Sequence, residues 1–144
     1  MNPAAAFAAI FAALYAAHSF ADHWVQTDAQ AQSKGRHDHV GRRACLAHVL
    51  TLTLTQCLAL LVLFVVLDLP DPGPAAGIAG LAINAGSHYW IDRRFTLAGL
   101  CEKIGKGGFY RMGSGLGTGA YALDQSAHVL MLFVSAVVIA SGVR

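Results

Sequence analysis

Charge is what this 144-residue sequence has least of. Asp, Glu, Lys and Arg make up 12% of it and hydrophobic residues 56%, where an ordinary soluble domain carries about 25% charged residues. The shortage is concentrated: Asn2 to Ala21 holds no charge, and Ala44 to Leu67 none apart from a titratable His48. Such a composition excludes an ordinary soluble domain and a disordered chain alike, and marks an integral membrane protein. Cysteine is scarce too. Cys45, Cys57 and Cys101 are odd in number and show no CxxC spacing, which excludes a disulfide framework. No basic segment precedes the first apolar run, so it reads as a retained helix and not as a cleaved signal peptide, although "AAHSFAD" offers the small residues cleavage needs. No long linker interrupts residues 1–144, and a single transmembrane domain is expected.

What is present is a set of apolar runs of membrane length. A hydrocarbon core of about 30 Å takes a helix of about 20 residues. The two plain runs are joined by two more interrupted ones, Ala75 to Ile91 and Ala120 to Val143. The expected fold is therefore all-α, an integral membrane four-helix bundle with helices at about 3–26, 44–67, 75–93 and 119–142. Orientation follows from the basic residues, which are retained on the cytoplasmic side. Lys34, Arg36, Arg42 and Arg43 lie in the first loop and Arg93, Arg94, Lys103, Lys106 and Arg111 in the third, whereas "DLPDPGP" between helices two and three has none and only Arg144 falls elsewhere. Both termini are expected outside and both basic loops in the cytoplasm, in a multi-pass protein of the inner (plasma) membrane.

Three polar pairs interrupt that apolar background. His18 with Asp22, His88 with Asp92, and Asp124 with His128 are each spaced i, i+4, which puts both side chains on one helix face a turn apart. Their order says more than their spacing. In the two inward-running helices His precedes Asp, and in the outward-running fourth helix Asp precedes His. Asp is thus the cytoplasmic member every time. His48, about one turn inside the membrane from Arg43, falls at the same depth in helix two. A hairpin repeat is visible as well: an HxxxD helix, a basic loop, then a helix with His one turn in, Ala44 standing before His48 where Asp124 stands before His128.

Carboxylates in hydrocarbon are costly and face a bundle interior with a partner. Three roles compete: hydrogen-bonded glue between helices, a proton or ion path, or metal ligation by imidazole nitrogen and carboxylate oxygen. Seven ionisable groups of only two kinds, both good ligands, favour a cation that compensates three carboxylates. The expected metal site is His18, Asp22, His48, His88, Asp92, Asp124 and His128, taking a divalent ion, zinc first, with manganese or iron as alternatives, one or two in number. Gln26, which continues the His18 and Asp22 stripe, and Gln125 and Tyr121 are expected as outer hydrogen-bond partners of the ligands. A haem-binding bundle would leave the three Asp unexplained. His23 falls off the stripe and reads as an interfacial residue beside Trp24. His37 and His39 read as parts of a solvated loop, and Cys45 as a small buried hydrophobe.

"HSFADHWVQ", an early His in the second apolar run, "HYWID" and "LDQSAH" together resemble the signature of a bacterial and phage family of small polytopic membrane proteins of unknown function, from about His18 to about Leu132. More distantly, the chain is similar to membrane-bound metal-dependent hydrolases, which scatter His and Asp over several membrane helices. The first likeness implies a multi-pass membrane protein without the extra domain of longer relatives. The second implies metal-dependent hydrolysis, by analogy alone.

The basic stretch "GKGGFYRMGSGLGTGAY" does not match the phosphate-binding GxxxxGK[ST] pattern. It leads into helix four, whose N-terminal amides favour anions, so Lys106 and Arg111 are the expected anion-binding residues for a phosphate-bearing substrate or a lipid headgroup. Two function classes follow. One is a metal-dependent hydrolase acting on a phosphate-bearing or lipid substrate at the inner membrane surface. The other is a non-enzymatic membrane component whose His/Asp network or structural metal holds the bundle, while its basic loops bind anionic lipid, a second copy of the chain or a protein partner. No nucleic-acid partner is expected. The nine-to-one division of basic residues predicts that single cysteines placed in either basic loop stay unlabelled by membrane-impermeant maleimide in intact cells; labelling from outside would reverse the topology.

Overall fold

Three of the four long helices begin where a side chain accepts from a free backbone amide. In the computed structural model, which describes residues 2–113 and 117–143, α1 (Pro3–Phe20) opens on Asn2, whose side-chain oxygen accepts from the Ala4 N–H at 2.9 Å, with Pro3 in the first turn. It runs into a π-helical turn, Ala21–Val25. The short α2 (Asp28–Ser33) starts with a reciprocal capping box between Thr27 and Gln30. α3 (His39–Leu61) continues as a second π turn, Val62–Val66. It starts at His39, ahead of the apolar run at Ala44, because the Asp38 carboxylate accepts from the Gly41 N–H at 2.9 Å. That hydrogen bond, with the Arg36 guanidinium behind it, holds the Asp38 carboxyl below the usual carboxylate range. Then follow α4 (Pro74–Asp92), α5 (Phe95–Lys103), α6 (Gly107–Tyr110) and α7 (Gly119–Ala140), the last capped by Thr118. No strand occurs among the described residues. The expectations for Arg144 and for the centre of the glycine-rich loop, 114–116, lie outside them.

Among the described residues three stretches are long and apolar enough to cross a membrane: Pro3–Val25, His39–Val66 and Gly119–Ala140. α4, expected as a fourth, falls short by composition, since Gly77, Gly80, Asn84, Gly86, Ser87, His88 and Asp92 dilute its aliphatic residues. α4 nevertheless packs against α7 and α3, and α1 packs against the same two.

The packing buries polar residues beside apolar ones and leaves large apolar side chains facing outward. Every long helix buries one seam at four-residue steps, the spacing of a single helix face: Ala6, Ile10, Leu14 and His18 on α1, and Gly80, Asn84, His88 and Asp92 on α4. α3 buries His48, Leu52, Gln56 and Leu60, and α7 buries His128, Leu132, Ala136 and Ala140. Outward, α3 carries a ladder of exposed leucine and valine from Leu46 (52% exposed) through Leu50, Leu54 and Leu58 to Val65 (70%). A continuous apolar stripe of that length is costly in water and suits lipid. One buried polar pair went unseen in the sequence: the Asn84 side-chain amide donates to Gln56 Oε1 at 2.6 Å, joining α4 to α3 one turn beyond the histidines.

Small residues let α4 and α7 approach closely. A Cβ on Gly80 would stand 2.4 Å from Ile139 Cγ1 and 2.9 Å from the Ser135 carbonyl oxygen, whereas a Cβ on Gly86 would meet nothing within 4 Å. Gly80→Ala is therefore expected to cost about 1–3 kcal/mol through overpacking, while Gly86→Ala should gain roughly 0.5–1 kcal/mol from helix propensity. Thermal melts of the two variants in detergent check the difference; equal melting temperatures would contradict this packing.

Candidate metal centre

The seams carry the ionisable residues to one end of the molecule, where α1 and α4 finish and α3 and α7 begin. His18, His48, His88 and His128 are buried there with Asp92, and Asp22 and Asp124 lie beside them. Four donor atoms from two helices, α3 and α4, and the π turn lie close together. His48 Nε2 is 3.0 Å from Asp22 Oδ1, 3.1 Å from His88 Nε2 and 3.3 Å from Asp92 Oδ2. His88 Nε2 is 3.1 Å from Asp92 Oδ2 and 3.6 Å from Asp22 Oδ1. Donors held 2.0–2.1 Å from a tetrahedral ion stand about 3.3 Å from one another, and these five distances fall near that value; His48, His88 and Asp92 form one group able to hold an ion, and Asp22 belongs to another with His18 and His88. Asp92 Oδ2, although that close to two imidazoles, is not aligned with any hydrogen-bond donor. His48 Nε2, by contrast, is in hydrogen-bonding geometry with both Asp22 Oδ1 and His88 Nε2.

The other members stand around that group. His18 Nε2 is 3.5 Å from Asp22 Oδ2, its ring packed against those of His88 and His128 with centroids 5.3 and 5.0 Å away. His128 reaches Asp124 Oδ2 through Nδ1 at 3.4 Å and Asp92 Oδ1 through Nε2 at 4.0 Å. Neither Nδ1 of His48 nor that of His88 has a hydrogen-bond partner, so packing, not an outer hydrogen bond, orients those two rings.

Asp22 lies inside the π turn, and this changes the expected stripe. The Gln26 N–H bonds to the Ala21 carbonyl at 2.8 Å, closing the wider turn, after which the backbone at Gln26 becomes extended. Gln26 therefore leaves the helix and lines a cavity of about 470 Å³ that opens beside Asp22, Asp92 and Asp124. Its side-chain nitrogen is buried with no partner. Gln125 donates to Asp124 Oδ2 at 3.2 Å. Tyr121 bonds instead to His23, whose ring bridges the Ser19 carbonyl at 2.7 Å and the Tyr121 hydroxyl at 3.2 Å. An ideal helical wheel turns His23 away from the site; the π turn brings it to the cavity rim. Trp24 is 80% exposed.

The cations at this site differ from those the sequence suggested. Lys106 and Arg111 are exposed residues away from the cavity lining, and Arg111 pairs with Glu102. Lys34 and Arg94 line the cavity instead. Lys34 is buried, with its ammonium 2.8 Å from Asp92 Oδ1. Arg94 donates to the Ala31 carbonyl at 2.9 Å and Arg93 to the Arg36 carbonyl, fastening α2 to the end of α4. Only that docking places Lys34, which sits 58 residues from Asp92 and shows no pattern with it.

Fold and cluster define a class: an all-α protein with helices long enough to span a membrane and a buried His/Asp group, at one end, that can hold a metal ion. Residues 10–143 match the family described as a protein of unknown function (DUF3307), and the chain belongs to that family. No curated protein and no solved structure matches it, and nothing in the family match reaches the metal-dependent hydrolases.

Lys34 is nine-tenths buried on the same carboxylate that faces the imidazoles, and removing one member of such a pair strands the other charge. With chelator present, Asp92→Ala should lower stability by about 3–5 kcal/mol, and the double change Asp92→Ala/Lys34→Met should recover most of it. Chemical unfolding in detergent measures both; a double variant no more stable than Asp92→Ala would show that the pair is not compensating.

Proposed function

We propose that this chain is a multi-pass protein of the inner membrane, a single four-helix domain with α4 as its fourth membrane element. Its His/Asp cluster holds a divalent metal, zinc before manganese or iron, and hydrolyses a phosphate-bearing or lipid substrate at the cytoplasmic surface. The observation that carries the reading is the close set of His48, His88, Asp22 and Asp92 donors, 3.0 to 3.6 Å apart in five of their pairs, two of whose carboxylates line an open cavity. A purely structural ion would call for a shell closed by protein on every side.

A divalent ion there would polarise a phosphoryl oxygen and activate water. The chain's own groups supply the rest. Asp124, on the cavity wall with 23% of its side chain exposed, is placed to take the proton from water as the oxygen adds to phosphorus. As the ester P–O bond breaks, the same proton passes to the departing alkoxide. Lys34 and Arg94 offer positive charge to the phosphoryl oxygens, and Tyr110 and Tyr121 shape the entrance. The apolar ladder on α3 would keep the cavity level with lipid headgroups, and both basic loops, at the same end, favour the cytoplasmic leaflet.

The test uses protein purified without a histidine tag. Wild-type chain is expected to carry stoichiometric metal by elemental analysis and to release phosphate from a soluble aryl phosphate or a lipid phosphate. His88→Gln should lose the metal, and Asp124→Asn should keep it while losing at least 100-fold in turnover, the scale of one general-base contribution. Metal retained with no hydrolysis in any of these substrates would favour the non-enzymatic membrane component with a structural metal. A stable chain without metal would leave the hydrogen-bonded network.

A further inference from the structure

We propose that the site takes one divalent ion per chain and that the Lys34 ammonium occupies the place of a second, an inference that rests on the metal-binding reading above. Seven ligand-type side chains are enough for two ions, and Asp92 presents one oxygen to each side. Oδ2 faces the His48 and His88 nitrogens at 3.3 and 3.1 Å. Oδ1 faces the other way, toward His128 Nε2 at 4.0 Å, and is engaged by Lys34 Nζ at 2.8 Å.

Geometry separates the two halves. The first group has five donor separations of 3.0 to 3.6 Å, close to the edge of a coordination shell at zinc distances. The second, Asp92 with Asp124 and His128, includes the 4.0 Å span from Asp92 Oδ1 to His128 Nε2, wider than the roughly 3.3 Å edge that ligands at zinc distances require. A second ion bridged through Asp92 would lie about 3.5–4 Å from the first and would need the oxygen that Lys34 already holds.

Charge leads to the same count. Asp22, Asp92 and Asp124 bring three negative charges; one divalent ion and Lys34 bring three positive ones. Two divalent ions beside Lys34 would leave a net +2 in an apolar interior, which is strongly unfavourable. Lys34 is also a built position and not a stray surface lysine. Its N–H bonds to the Gln30 carbonyl at 2.9 Å at the end of α2, and that helix is fixed by its capping box and by Arg94 on Ala31.

The probe is manganese, added in excess to tag-free protein and read after gel filtration by elemental analysis and electron paramagnetic resonance. Wild type is expected to hold one ion per chain with an uncoupled six-line spectrum. Lys34→Met is expected to hold two, with a spin-coupled spectrum, and Lys34→Met/Asp124→Asn to return to one. Two ions or a coupled spectrum in wild type overturns the inference, as does a folded Lys34→Met that stays at one ion. The wild-type count decides even where the variant does not fold. A wild type that holds no ion defeats the metal-binding reading itself, and zero is distinguished from two by the same measurement.

Discussion

Ionisable side chains packed among helices whose outer faces are leucine and valine must be compensated where they stand, because His18, His48, His88, His128 and Asp92 are buried from the solvent that would otherwise do it. An isolated charge in such surroundings costs several kcal/mol even after relaxation. Much of the architecture can be traced to that constraint. The seams of α1, α3, α4 and α7 deliver their His and Asp residues to one level, where imidazoles and carboxylates come within 4 Å of each other. α2, too short and polar to serve as a membrane element, is capped and docked so that one lysine enters the cluster from the loop side.

The same constraint explains why α4 is the least apolar of the long helices. Its inward face is Gly80, Asn84, His88 and Asp92, each engaged with a neighbour: Gly80 against α7, Asn84 with Gln56, His88 and Asp92 in the cluster. A hydropathy average counts those residues against a membrane position. In the folded chain they are covered by α7 and α3, so its composition reflects its place between them.

The pattern of pairs was legible in the sequence because it depends only on local periodicity. An i, i+4 step marks one helix face wherever the helix is regular, and His18, Asp22, His88, Asp92, Asp124 and His128 all obey it and lie together. Three features escaped for physical reasons. The π turn at Ala21–Val25 inserts a residue into the periodicity, so Gln26 left the stripe and His23 joined the cavity. Lys34 reaches Asp92 through tertiary docking, which no spacing encodes. Asn84 and Gln56 are single amides in apolar runs, and nothing in the chain says that two such residues will meet. The anion-binding expectation for Lys106 and Arg111 drew on the charge of a loop, a property that does not say which of its cations face a cavity.

Polarity changes along the seams in a way that also bears on passage across the membrane. One turn beyond the histidines, α1, α3 and α7 present Leu14, Leu52 and Leu132, each at most 1% exposed, and Leu14 and Leu132 join a cluster with Ile10, Ala136 and Ile139. The polar groups continuing past that level on α4 and α3 are Asn84 and Gln56, and they bond to each other. An ion or proton path needs polar or hydrated steps at hydrogen-bonding intervals from one surface to the other. Among the described residues the cavity beside the cluster opens on the carboxylate side, while beyond the histidines the interior is mostly packed leucine, isoleucine and alanine, with buried Ser135 among them and a second, apolar cavity of about 290 Å³ at the far end. A polar site open at one face and backed by mainly apolar packing lacks the continuous polar path that conduction needs, and it is the arrangement that the proposed surface chemistry requires.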